Sequence, residues 1–225
     1  MSSVELPLPF AERLRAFIAD PQAVVDLRRY FGIDQPPGGM SFTGSRFEYL
    51  AGGGGRPEVA DRFTAEDLVA VQTLSVTVPA PVTLDILEGR LGAQLSGLLH
   101  AIPWDVDMVD AEADVLADGS PADQAWHLLC GQYGVDWVIT GKLLARKRPR
   151  LLPVYDKVVR CALGRPRPSF WLALHAALRA DDRALHRQSL ELRQIAGVPE
   201  TVSALRVCDV AVWMGHRAEE HACPR

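Results

Sequence analysis

The sequence predicts an all-α fold of about ten helices packed as two sub-bundles. Three observations predict it. Apolar residues recur at helical spacing along nearly the whole chain. Capping residues, prolines and glycines punctuate these stretches where helices should start and stop. No period-2 alternation runs long enough to make a strand.

The elements follow in order. Phe10, Leu14, Phe17 and Ile18 form one helical stripe. Asp20-Pro21 opens a second helix through Val24, Val25, Leu27 and Tyr30, which Gly32 stops. Residues 34–57 are rich in turn formers and are expected to be a flexible loop, with Gly52–Gly55 as its hinge. Thr64 caps the next helix, and Glu66 and Asp67 in its first turn suit the helix dipole. One long helix is expected from Thr83 to Ile102, with Leu84, Leu87, Leu91, Leu95, Leu98 and Leu99 on a single face. The acids of 103–119 read as a solvated stretch. Ser120-Pro121 opens a helix carrying Trp126, Leu128 and Leu129. Three more helices are expected to open at Ser169, Asp181 and Pro199, the middle one ending at Gly197. The whole reads as one domain over 1–225, divisible into lobes 1–119 and 120–225.

Composition narrows the class. The chain has 225 residues, 48% apolar and 23% charged, which excludes a disordered or fibrous protein. No apolar run is long enough for a transmembrane helix, and the start lacks a secretory pattern. Cys130, Cys161, Cys208 and Cys223 form no CxxC pair and read as thiols of a reduced, cytoplasmic protein. His216, His221 and Cys223 lie close together, but their spacing matches no zinc pattern, so no metal and no cofactor is expected. The acids near 104–118 lack the calcium-loop spacing.

The net charge of -4 hides a strong segregation. Lys142, Arg146, Lys147, Arg148, Arg150, Lys157, Arg160, Arg165 and Arg167 share their stretch with a single acid, Asp156. Clustered bases of this kind neutralise phosphates, so they raise the expectation of a polyanionic partner. Bases near a helix C-terminus also suit the macrodipole with no partner at all. Trp137 and Tyr155 flank the segment and could stack on a ligand, and Arg46 beside Ser45 offers a further contact.

Within this segment, Pro153-Val154-Tyr155-Asp156-Lys157-Val158-Val159-Arg160 resembles the Pro-Val-Asp-x-x-Val-x-Arg signature of the helix-hairpin-helix DNA glycosylase superfamily. Thr140-Gly141-Lys142-Leu143-Leu144-Ala145 resembles the Gly-x-Lys-x-x-Ala end of that family's hairpin, although Val135–Ile139 replaces its Leu-Pro-Gly-Val-Gly. The resemblance implies a helix-hairpin-helix glycosylase-like fold. It also implies a catalytic Asp156, a nucleophilic Lys142, and a DNA phosphate held by Gly141 and Lys142. A carboxylate stabilises a developing oxocarbenium ion, and a desolvated amine attacks the sugar carbon. Asp156 has an equally simple structural role as the cap of the helix that follows it. Over most of its length the chain also resembles an actinobacterial family of uncharacterised proteins, notably in FTGSRFEYLAGGG and SALRVCDVAVWM.

Three functional readings result. The first is a DNA-binding, base-excising enzyme using Lys142 and Asp156, with phosphates on Arg146, Lys147, Arg148, Arg150, Lys157 and Arg160. The second is a small-molecule enzyme with a nucleotide or sugar phosphate between the sub-bundles. The third is a protein-interaction module that docks through the acids of 103–119.

Overall fold

The computed structural model describes residues 9–36, 42–164 and 170–217. Ser169, Arg165, Arg167, His221 and Cys223 lie outside them. Among the described residues all regular structure is helical. The α-helices are α1 (Phe10–Ala19), α2 (Gln22–Phe31), α3 (Ala65–Gln72), α4 (Ala80–Glu88), α5 (Arg90–His100), α6 (Pro121–Cys130), α7 (Trp137–Lys147), α8 (Lys157–Leu163), α9 (Phe170–Ile195) and α10 (Ala204–His216). Short 3-10 turns lie at Thr43–Arg46, Leu50–Gly52 and Ala113–Leu116. None of the described helices is long and apolar enough to cross a membrane.

The punctuation in the sequence does what its chemistry requires. Gly32 ends α2 at φ 69°, a left-handed conformation that glycine adopts without strain. Ser120 Oγ accepts the Asp123 amide at 3.2 Å and starts α6. The expected start at Asp181 appears as a break inside α9, where Asp181, Asp182 and Arg183 all take positive φ.

Two elements differ from expectation. The single helix expected from 83 to 102 is two, α4 and α5. Gly89 is extended there, and Asp85 Oδ1 turns to cap the new helix at the Leu91 amide, 3.1 Å away. The break rotates the apolar stripe, so Leu91, Leu95 and Leu99 are buried while Leu84 is 57% exposed. The last helix starts at Ala204, not Pro199. The Val202 amide closes a turn onto Pro199 O, and Ser203 Oγ caps Arg206 N at 3.0 Å.

Packing sorts the helices into two groups. One contains α1, α2, α8, α9 and α10, and the other contains α3, α4, α5, α6 and α7. The first group joins the two ends of the sequence, because α2 lies on α10 and α1 on α9. One continuous apolar core runs through both groups. The cysteines divide: Cys130 and Cys208 are free thiols, whereas Cys161 is disulfide-bonded, which corrects the expectation of a reduced thiol there.

Candidate functional site

The basic segment is built mostly inward. Arg146, Lys147 and Arg148, at the end of α7, are 1%, 0% and 0% exposed. Arg146 donates to Asp67 Oδ1 at 2.8 Å and to the carbonyls of Phe47, Glu48 and Leu50. Lys147 Nζ donates to Asp67 Oδ2 at 2.8 Å and Val59 O at 2.7 Å. Arg148 gathers Ala60 O, Ile102 O, Leu99 O and Asp61 Oδ1. These three cations therefore tie the 47–61 loop and the end of α5 to α7. Their buried donors are spent on carbonyls and carboxylates, so the expected phosphate face at 146–148 is corrected to a structural hub.

The same hub revises the glycine loop. A Cβ on Gly54 would stand 2.5 Å from Arg146 O and 2.6 Å from Asp67 Oδ1. Gly54 is there because backbone must lie directly on the ion pair, which replaces the hinge reading at that position.

The other expected contacts scatter. Arg150 is exposed and pairs with Asp107 through two bonds of 2.9 and 2.8 Å. Lys157 and Arg160 are exposed, and Arg160 lies over the Trp137 ring at 5.7 Å. Arg46 is exposed and rests on Tyr49. Tyr155 is buried between Trp137 and Phe170, with ring centroids 5.2 and 4.3 Å away, so it is a core ring and not a ligand contact. Gly141 sits in mid-helix against Trp126 and the Tyr155 carbonyl, where it gives no hairpin amide to a phosphate.

Lys142 and Asp156 are brought together. Both line a cavity of about 90 Å³ between the two helix groups. Tyr30 comes from α2, Lys142 from α7, and Arg206, Asp209 and Trp213 from α10. Phe42–Gly44 and Thr73–Ser75 close the sides. Ser75 takes φ 61°, a strained conformation for a residue with a side chain. A larger cavity of about 300 Å³ between α1, α2 and α10 is lined by Asp20, Asp26, Arg29 and Arg217, with no buried titratable group among them.

Electrostatics separate the groups of the smaller cavity. Lys142 Nζ donates one bond, 2.8 Å, to Leu74 O. Burial holds its ammonium below the ordinary lysine value, against the pull of Asp156 and Asp209. Burial pushes the Asp209 carboxyl up to about 7, with Arg206 acting against it. Arg206 donates to Asp209 Oδ2, to the Tyr30 hydroxyl oxygen and to Gly44 O, and these partners hold it charged against its burial. Asp156 caps α8, with Oδ1 accepting the Val158 and Val159 amides at 3.0 Å each. Its Oδ2 takes no hydrogen bond from the described residues. The capping role expected of Asp156 is therefore real, and it uses only one of the two carboxylate oxygens.

Sequence reasoning missed Arg206, Asp209 and Tyr30. A signal existed, because Arg206 and Asp209 stand three apart inside the apolar run of α10, a spacing at which a buried pair can meet. No group of three or more His, Cys, Asp or Glu among the described residues could hold a metal ion.

A profile described as a family of unknown function (DUF6308) matches residues 23–216. The chain belongs to this family. The match spans every element that builds the cavity, from α2 to α10. No curated protein and no solved structure matches the chain.

Proposed function

We propose that this member of the family is an enzyme acting on a small polar molecule, with the cavity at Lys142 as its active centre. The observation that carries the reading is convergence. A buried amine, a buried carboxyl that titrates near neutrality and a second carboxylate meet in one cavity from α7, α10 and the start of α8. Such pairs, pushed apart in acidity by their surroundings, are what acid–base and nucleophilic chemistry need near pH 7. Asp209 would move the proton. Lys142 would act as base or nucleophile, and Asp156 would orient the substrate. The burial of Arg146, Lys147 and Arg148 favours this reading over a duplex-binding surface.

A second reading, base excision from nucleic acid, is favoured by one observation. Lys142 and Asp156, the pair that resembles the glycosylase signature, share the cavity.

Thermal unfolding of the full chain with nucleosides, nucleotides, sugars, sugar phosphates and short duplex DNA distinguishes the two. At a hundredfold excess over Kd a true ligand stabilises by about 2.7 kcal/mol. That raises Tm by roughly 5–10 °C at this length. The proposal expects such a shift from a small molecule, its loss in Lys142→Met, and no salt-dependent DNA binding. DNA binding at low salt with no small-molecule response overturns it in favour of base excision. Equal small-molecule shifts in wild type and Lys142→Met overturn the placement of the site.

A further inference from the structure

We infer that the part of the ligand lying in this cavity is a neutral ring bearing adjacent hydroxyls, and that no phosphate enters it. The inference rests on the cavity being the active centre. It follows from which hydrogen-bonding groups are already committed and which are left.

The cations are nearly all spent. Arg206 divides its guanidinium between Asp209, Tyr30 and Gly44. Arg146, Lys147 and Arg148 are committed to the 47–61 loop and its carboxylates. Lysine occurs only at 142, 147 and 157, and Lys142 is the one that lines the cavity. Its ammonium uses one proton on Leu74 O, which leaves two N–H donors.

The acceptors are the opposite case. Asp156 has both cap bonds on Oδ1, and Asp209 takes Arg206 on Oδ2. Oδ2 of Asp156 and Oδ1 of Asp209 accept nothing from the described residues. Asp156 and Asp209 belong to different elements and line the same cavity. A phosphate placed there would set its oxygens against Asp156 and the ionised form of Asp209, while of the two cations in the lining Arg206 is already held by Asp209, Tyr30 and Gly44, which leaves Lys142 to meet it. Such like-charge contacts in a buried site are costly. Two hydroxyls on neighbouring carbons donate to two carboxylate oxygens without that cost, and their own oxygens accept from Lys142.

Part of the wall is aromatic. Tyr30 and Phe42 stack with centroids 5.2 Å apart and planes 7° apart, and Trp213 meets both edge-on. All three line the cavity, while Arg206 lies over the Tyr30 ring and Arg217 over Phe42 and Trp213, so the aromatic wall is built into a cation-capped cluster. A water needs about 10–15 Å³ of such space, so the cavity takes several waters or one small ring. Gly44 lets the backbone lie against Tyr30, since a Cβ there would stand 2.1 Å from the Tyr30 hydroxyl.

The test is isothermal calorimetry of the full chain with ribose, adenosine, 2′-deoxyadenosine, ribose 5-phosphate and inorganic phosphate. Asp156→Asn serves as the variant, because its amide oxygen keeps the α8 cap while the free oxygen becomes a donor. The expected result is binding of ribose or adenosine, at least tenfold weaker binding of 2′-deoxyadenosine than of adenosine, and none of inorganic phosphate. Asp156→Asn should lose at least tenfold in sugar affinity with Tm unchanged. Tighter binding of inorganic phosphate than of ribose, abolished in Lys142→Met, overturns the diol inference and leaves the site standing. Equal affinity for adenosine and 2′-deoxyadenosine also overturns it. Failure of every compound to bind, with Lys142→Met indistinguishable from wild type, overturns the reading of the site itself.

Discussion

Lys147 Nζ lies 2.8 Å from Asp67 Oδ2, and both side chains are shut away from solvent. The same carboxylate holds Arg146 through its other oxygen, also at 2.8 Å. One acid therefore compensates two buried cations, and the remaining cationic donors are met by backbone carbonyls. Removing Asp67 would leave two charges buried without their partner. Asp67→Asn should cost about 3–5 kcal/mol in urea unfolding. Asp107→Asn, which breaks the exposed pair with Arg150, should cost under about 1 kcal/mol. Similar losses at the two positions would show that the 146–148 hub is not a stability element.

Gly54 covers that hub, and its lack of a side chain is part of the packing. Gly54→Ala should lower stability by roughly 1–3 kcal/mol, because the new methyl meets a carbonyl and a carboxylate that are held on both sides. Gly97→Ala is the control, since a Cβ there meets nothing within 4 Å. A neutral Gly54→Ala would restore the hinge reading of the loop.

Much of the fold was legible. Caps at Ser120 and stops at Gly32 depend on neighbours a few residues away, so local chemistry decides them. The split of the 83–102 helix depends on Asp85 reaching forward to Leu91 past an extended Gly89, a choice that leucine spacing alone does not reveal. The candidate site was half legible. Lys142 and Asp156 stood out by residue type and spacing. Arg146–Arg148 misled because charge arithmetic counts bases without saying which way they point. Their partners lie 79 to 99 residues away for Arg146 alone.

Asp209 gives a pH signature with a definite sign. Its folded value is pushed up to about 7 by burial, above the unfolded value of about 4. The native chain therefore keeps a proton that the unfolded chain has released, and stability falls as pH rises through that window. Asp209→Asn cannot titrate there. The stability of wild type minus that of Asp209→Asn should fall between about pH 4 and pH 7 and level off above it. A difference that rises with pH would mean that Arg206 dominates and that Asp209 is ionised throughout.

Arg148 should act on structure and not on polyanions. Arg148→Lys removes the fork that joins Ala60, Leu99 and Ile102, and should speed amide exchange at the end of α5. Neither wild type nor Arg148→Lys should bind duplex DNA in a salt-dependent way. Salt-dependent binding with a slope lower by about one in the variant would assign Arg148 a phosphate contact.

The two buried lysines separate structure from function most sharply. Lys147 is fixed by a carboxylate and a carbonyl, whereas Lys142 makes one bond and faces a cavity. A residue kept for chemistry commonly contributes little to stability, and its removal can leave the fold intact. The most direct measurement is equilibrium urea unfolding of Lys142→Met. The stability should lie within about 1 kcal/mol of wild type, or above it, because a methionine of similar length replaces a desolvated amine. A loss of about 3 kcal/mol or more would make Lys142 a strut like Lys147, and would contradict the assignment of this cavity as the active centre.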